Sequence, residues 1–93
     1  MRFDWDPAKR EENRQKHGVD FADVVEAVFY DPLALSNENG FAEGEQRHKT
    51  IGHDDQGRVV VVTYTWRGDT ARIINARKAT KPEKRKYQQG DEL

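Results

Sequence analysis

Cysteine is absent from this 93-residue chain, which excludes disulfides, thiolate nucleophiles, cysteine-based zinc sites and iron–sulfur clusters. Serine occurs once, as Ser36, so a Ser–His–Asp triad has almost nothing to be built from. No apolar run is long enough to cross a bilayer, in keeping with a mean hydropathy of −1.08. The opening residues MRFDWDPAKR lack the apolar centre of a secretory signal, so the cytoplasm is the expected compartment. There is no His-Glu-x-x-His pair, no calcium-loop spacing in residues 37–45 and no glycine-rich phosphate loop. His48 and His53 are five apart on an expected strand and point to opposite faces. Neither a metal nor a cofactor is therefore expected. An excess of one charge is lacking too: 16 Lys and Arg oppose 17 Asp and Glu, which argues against indiscriminate nucleic-acid binding.

The near-neutral total hides a polarised chain. Residues 21–46 carry Asp23, Glu26, Asp31, Glu38, Glu43 and Glu45 and no Lys or Arg. Residues 67–86 carry Arg67, Arg72, Arg77, Lys78, Lys81, Lys84, Arg85 and Lys86 against Asp69 and Glu83. One half can offer an anion site while the whole stays neutral.

The length predicts one small domain, placed at residues 1–87, with residues 88–93 as a fraying tail. Residues 2–5 read as a strand. Asp6-Pro7 opens a helix that closes at His17-Gly18. That helix is nearly devoid of apolar side chains, and Ala8 and the Lys and Arg stems are expected to make its packing. Asp20 caps a second helix whose Phe21, Val24, Val25, Val28 and Phe29 form the main buried stripe. A short connection should lay the two helices side by side as a hairpin. Residues 33–36 read as a short strand, 37–44 as an exposed loop and 47–53 as a strand. Residues 58–66 (RVVVVTYTW) give a central strand covered on both faces, and 70–77 its hairpin partner. Thr80 caps a closing helix with Glu83 at its third position. The expected fold is α+β: an antiparallel sheet, a two-helix hairpin on one face and a C-terminal helix, in the order β-α-α-β-β-β-β-α.

Candidate chemistry gathers around the last hairpin. Strict alternation puts Arg77 with Ile73 and Asn75 on one face, and Arg72 with Lys78 on the other. Arg47 follows Glu45 at the start of an adjacent strand, and Tyr64 and Trp66 share a face of the central one. Such a surface can hold a phosphodiester between guanidinium groups and stack a base on a ring. Cleaving RNA then needs a base for the 2′-hydroxyl proton, an acid for the leaving oxygen and fixed cations. Arginine stays protonated, so Glu45 or a histidine would move the proton. Each residue also has a plainer reading. Tyr64 and Trp66 fit a core, Arg47 fits a salt bridge to Glu45, and His17 fits a helix C-terminus.

Several motifs occur in order. Phe3, Trp5, Asp6, Lys9, Asn13, Lys16, His17, Gly18, Val19 and Phe21 meet the pattern F-x-W-D-x-x-K-x-x-x-N-x-x-K-H-G-V-x-F. Ala27 to Pro32, the G-E-x-R of Gly44, Glu45 and Arg47, Ile51-Gly52, and Arg72 to Thr80 (RIINARKAT) follow, ahead of Glu83 and Tyr87. Together they resemble the BrnT toxins of bacterial type II toxin–antitoxin systems. The resemblance implies a RelE-like fold and a ribonuclease that halts translation. It also implies a BrnA-type ribbon-helix-helix antitoxin that masks the toxin and carries the complex to operator DNA. By motif the resemblance carries over Arg47, Trp66-Arg67 and Arg77-Lys78; with the residues read above, the expected site is Glu45, Arg47, Arg67, Arg77 and Lys78 for catalysis, with His17, Tyr64, Trp66 and Arg72 for RNA binding, and no metal. The competing reading is a non-catalytic partner of a DNA-binding antitoxin, docked through the acidic residues 23–45.

Overall fold

The computed structural model describes residues 2–90. The elements run β1 (Arg2–Asp4), α1 (Pro7–His17), α2 (Phe21–Tyr30), β2 (Leu35–Ala42), β3 (Glu45–His53), β4 (Val59–Arg67), β5 (Thr70–Lys78) and α3 (Lys81–Gln89). This is the expected α+β order. The sheet order is β1-β5-β4-β3-β2. Neighbours from β2 to β5 pair antiparallel, but β1 joins β5 in parallel, which makes the sheet mixed. Gly90 caps α3, so residues 88–90 belong to its end. The rest of the expected tail, residues 91–93, lies outside the described residues.

Alternation along β4 sends Val60, Val62 and Tyr64 to one face and Val59 and Val61 to the other. The first set packs with Val19, Phe21, Val24, Val25 and Val28 in the main core. The second packs with Ile51 and Tyr87 of α3 in a smaller one. Each fully buried valine or phenylalanine contributes about 1.5–3 kcal/mol over exposure. Covering on both faces explains the unbroken apolar run.

Three local expectations are corrected. The stretch 37–44 is mostly strand, because β3 offers a paired edge that carries polar β2 as far as Ala42 across a bulge between Glu38 and Phe41. The turn that follows uses Glu43 at φ 53° and Gly44 at φ 76°, the left-handed pair a two-residue hairpin needs. The two early helices rest on the sheet rather than chiefly on each other: α1 on β5, α2 on β3, β4 and β5. A bidentate Arg10–Asp20 pair, 2.6 and 2.9 Å, bridges them. Finally, Ala8 is exposed, and the buried residue of α1 is Asn13. Its amide accepts from the Ala76 N–H (3.1 Å) and donates to the Ala76 and Val19 carbonyls (2.7 and 2.9 Å). The Asn13 side chain thus satisfies a stretch of the β5 edge that β1 does not reach.

A cation-lined face beside the last hairpin

A bulge in β5 decides the geometry of the site. Thr63 faces Asn75 and Tyr64 faces Ile73, so Ile74 is the extra residue. The side-chain phase reverses there. Arg72 lies opposite Thr65 and Arg77 opposite Val61, which are on the same face of β4. Strict alternation had separated these two arginines; the bulge reunites them. Lys78, opposite Val60, falls on the other face and stands exposed at the strand end. It is thus parted from Arg77.

Arg47, Arg67 and Arg72 converge with Glu43 and Glu45 around a cavity of about 110 Å³. Lys9 of α1 and Ile73 and Ile74 at the bulge complete its lining. Arg67 donates to both Glu45 oxygens at 3.2 and 3.3 Å. Arg47 stands 3.9 Å from both Glu43 and Glu45, beyond hydrogen-bond reach. Arg72 lies 3.4 Å from Asp4. The hydrogen bonds from Arg67 hold the Glu45 carboxyl below the usual range, so it is ionised at neutral pH.

Arg77 is engaged differently. It donates to Glu83 through Nη1 at 2.7 Å and Nη2 at 3.0 Å. Glu83 also accepts from the Thr80 N–H in a capping box and sits 3.8 Å from Lys49. The Arg77 bonds and that cap pull its carboxyl down to about 2 against the cost of burial. Arg77 therefore braces α3 against the sheet and is absent from the cavity.

The aromatic candidates lie on the opposite face from the arginines. Tyr64 is buried against Phe29, Trp66 and His48, and its hydroxyl meets Thr50 at 2.9 Å. No ring face is left for a base, so its expected stacking role is corrected to a core role. Trp66 is 39% exposed but points away from the cation cavity, because it pairs with Ala71 of the core face. His17 lines a second cavity of about 110 Å³ with Lys9, Glu12, Lys16 and Asn75. Lys9, Glu12 and Lys16 line that cavity, and none of them was a candidate in the sequence. The available signal was the spacing of Lys9, Asn13, Lys16 and His17, which share one helical face. Asn75 and Glu43 had no signal, since a bulge and a turn place them. Among the described residues, no three His, Asp or Glu side chains gather as metal ligands would.

The family described as "Ribonuclease toxin, BrnT, of type II toxin-antitoxin system" matches residues 5–83. Among solved structures, the chain is similar to the crystal structure of the Brucella abortus ribonuclease toxin BrnT. The identity is 27% and the TM-score 0.67, covering 87% of this chain and 99% of that one. No curated protein matches.

Proposed function

Because this chain belongs to the BrnT family of ribonuclease toxins of type II toxin–antitoxin systems, we propose that it is a metal-independent endoribonuclease that cuts RNA at the arginine cavity. The observation that carries this reading is the convergence of Arg47, Arg67, Arg72 and Lys9 on one cavity that also holds Glu45. Four cations against two carboxylates leave a net positive site on a near-neutral protein.

In this reading the scissile phosphodiester enters between Arg47, Arg67 and Arg72. Arg67 exchanges Glu45 for a phosphate oxygen, which is feasible because that pair is exposed and its bonds are long. Freed of its main donor, the Glu45 carboxylate becomes a better base and takes the 2′-hydroxyl proton. The 2′-oxygen bonds to phosphorus, the bond to the 5′-oxygen breaks, and that oxygen takes up a proton from solvent water, while Glu45 later returns its own to solvent. The guanidinium groups hold the extra charge of the transition state. The products are a 2′,3′-cyclic phosphate and a 5′-hydroxyl end. Purified, antitoxin-free protein should produce both ends from RNA in EDTA. Intact RNA at high protein concentration, together with unimpaired growth on induction, would overturn the reading.

A toxin of this family has an antitoxin as partner. The reading adds that cleavage halts translation in the cytoplasm, and that the antitoxin is a BrnA-like ribbon-helix-helix protein carrying the pair to operator DNA. Asp23 and Glu26 are exposed on α2 and Glu38 on β2, which suits a basic antitoxin segment. The pairing of Arg67, Arg72 and Arg77 with carboxylates favours one second reading, a non-catalytic partner of that antitoxin. Antitoxin-free protein that neither binds nor cuts RNA would decide for it.

A further inference from the structure

We propose that the second cavity, under the last turns of α1, is a nucleoside subsite for the RNA nucleotide next to the phosphodiester held by the arginines. The proposal rests on the ribonuclease reading above and extends it to a surface with different chemistry. The two cavities adjoin: Lys9 and Ile74 line both. Ile74 is the extra residue of the β5 bulge, so the bulge forms the saddle over which a strand would pass. Each cavity measures about 110 Å³ and opens to solvent.

The lining separates the two cavities by chemistry. Around the arginines the groups are mostly cationic and match a phosphate. Beneath α1 they are mixed. Lys9 and Lys16 donate, the Glu12 carboxylate accepts, and Ile74 supplies an apolar wall. A nucleoside presents that same mixture of donors, acceptors and ring face. Phosphate is disfavoured here, because the C-terminal end of α1 carries the negative end of the helix dipole.

The subsite is also preorganised. Backbone groups of Ala76 and Val19 fix the Asn13 amide. The Asn13 oxygen takes a bond from Asn75 Nδ2 at 3.2 Å, and the same Nδ2 lies 3.3 Å from His17 Nε2. Asn75 thereby positions the His17 ring in the lining of the cavity, and binding need not order it.

The test uses 2′-fluoro oligoribonucleotides, which lack the nucleophile, from two to about six nucleotides long. Wild-type affinity should climb with length until both cavities are filled. Lys16→Ala and His17→Ala should lose the last step, weakening the longest oligomer about tenfold, the scale of one base contact. Lys16→Arg should restore most of that loss. Thermal unfolding checks the fold of each variant, and Lys16 is exposed, so its variant keeps the test decisive. If wild type cuts RNA and both alanine variants bind every length with wild-type Kd, the subsite is refuted and the ribonuclease reading stands. If wild type neither binds nor cuts, both fall together.

Discussion

Two guanidinium–carboxylate pairs on one face of the sheet, alike in chemistry, have opposite consequences. Arg67 and Glu45 meet at 3.2 Å with the arginine 55% exposed. Arg77 and Glu83 meet at 2.7 Å with side chains 31% and 17% exposed. The first pair is screened by water and bridges strand ends that need no bridge. The second is partly desolvated, joined to a helix cap, and holds α3 over the smaller core. A loose pair can be exchanged for a ligand anion, whereas a tight one is committed to the fold. Burial and the neighbouring cap assign the roles, and residue type does not.

The largest expected effect lies on the loose side. Arg47→Ala or Arg67→Ala should lower kcat/KM on RNA about 100-fold, the scale of removing one transition-state donor, while the thermal midpoint stays near wild type. A fall in midpoint without loss of cleavage would reverse the assignment. Next comes the pH dependence of the tight pair. The folded carboxyl of Glu83 lies at about 2 against an ordinary value of 4.5. Its folded value is depressed, so its contribution is complete above about pH 5 and is lost as pH falls towards 2, at most about 3 kcal/mol. Urea unfolding from pH 7 to 2.5 should show this acid loss in wild type and a flatter limb in Arg77→Ala. At pH 7 that variant should be less stable by about 2 kcal/mol, because Glu83 is left partly buried without its bidentate partner. The smallest effect belongs to Lys49→Ala. Lys49 reaches the same carboxylate only at 3.8 Å, so about 0.5 kcal/mol or less is expected in the same unfolding experiment.

At the other end of α3, Tyr87 is buried and its hydroxyl bonds to Asp31 and, at 2.6 Å, to His53 Nδ1. Burial pushes the Tyr87 phenol up, and the Asp31 carboxylate adds to it. Burial also works to raise Asp31, but donors from Tyr87, His53 and Leu33 outweigh it and hold the carboxyl low. Gly52 lies beside this cluster, and a Cβ there would come within 3.0 Å of the Val28 carbonyl. The α2–β3 approach therefore requires glycine.

Much of the fold was legible because local signals agreed. Asp6, Asp20 and Thr80 each cap the helix expected of them, and Gly18 closes α1 in the left-handed region. The valine run of β4 announced a strand covered on both sides. The site was less legible. Arg47, Arg67, Glu45 and Arg72 come together as hoped. Arg77 turned to Glu83, Lys78 fell on the far face, and Tyr64 went into the core. The extension of β2 beyond Ser36 was missed because its polar residues carry no period; its pairing comes from β3 alone.

By itself, the sequence determined the elements, their order and the apolar stripes, since caps, turns and periodicity act within a few residues of one another. It also determined the polarised charge and the ordered motifs that tie the chain to its family. Only the tertiary structure decided which cations share a wall. One extra residue at Ile74 reverses the alternation of β5, and a single side-chain amide, Asn13, brings α1 against that strand. The second rests on contacts between residues 63 positions apart, and the first on a β4–β5 register that strict alternation along one strand does not encode.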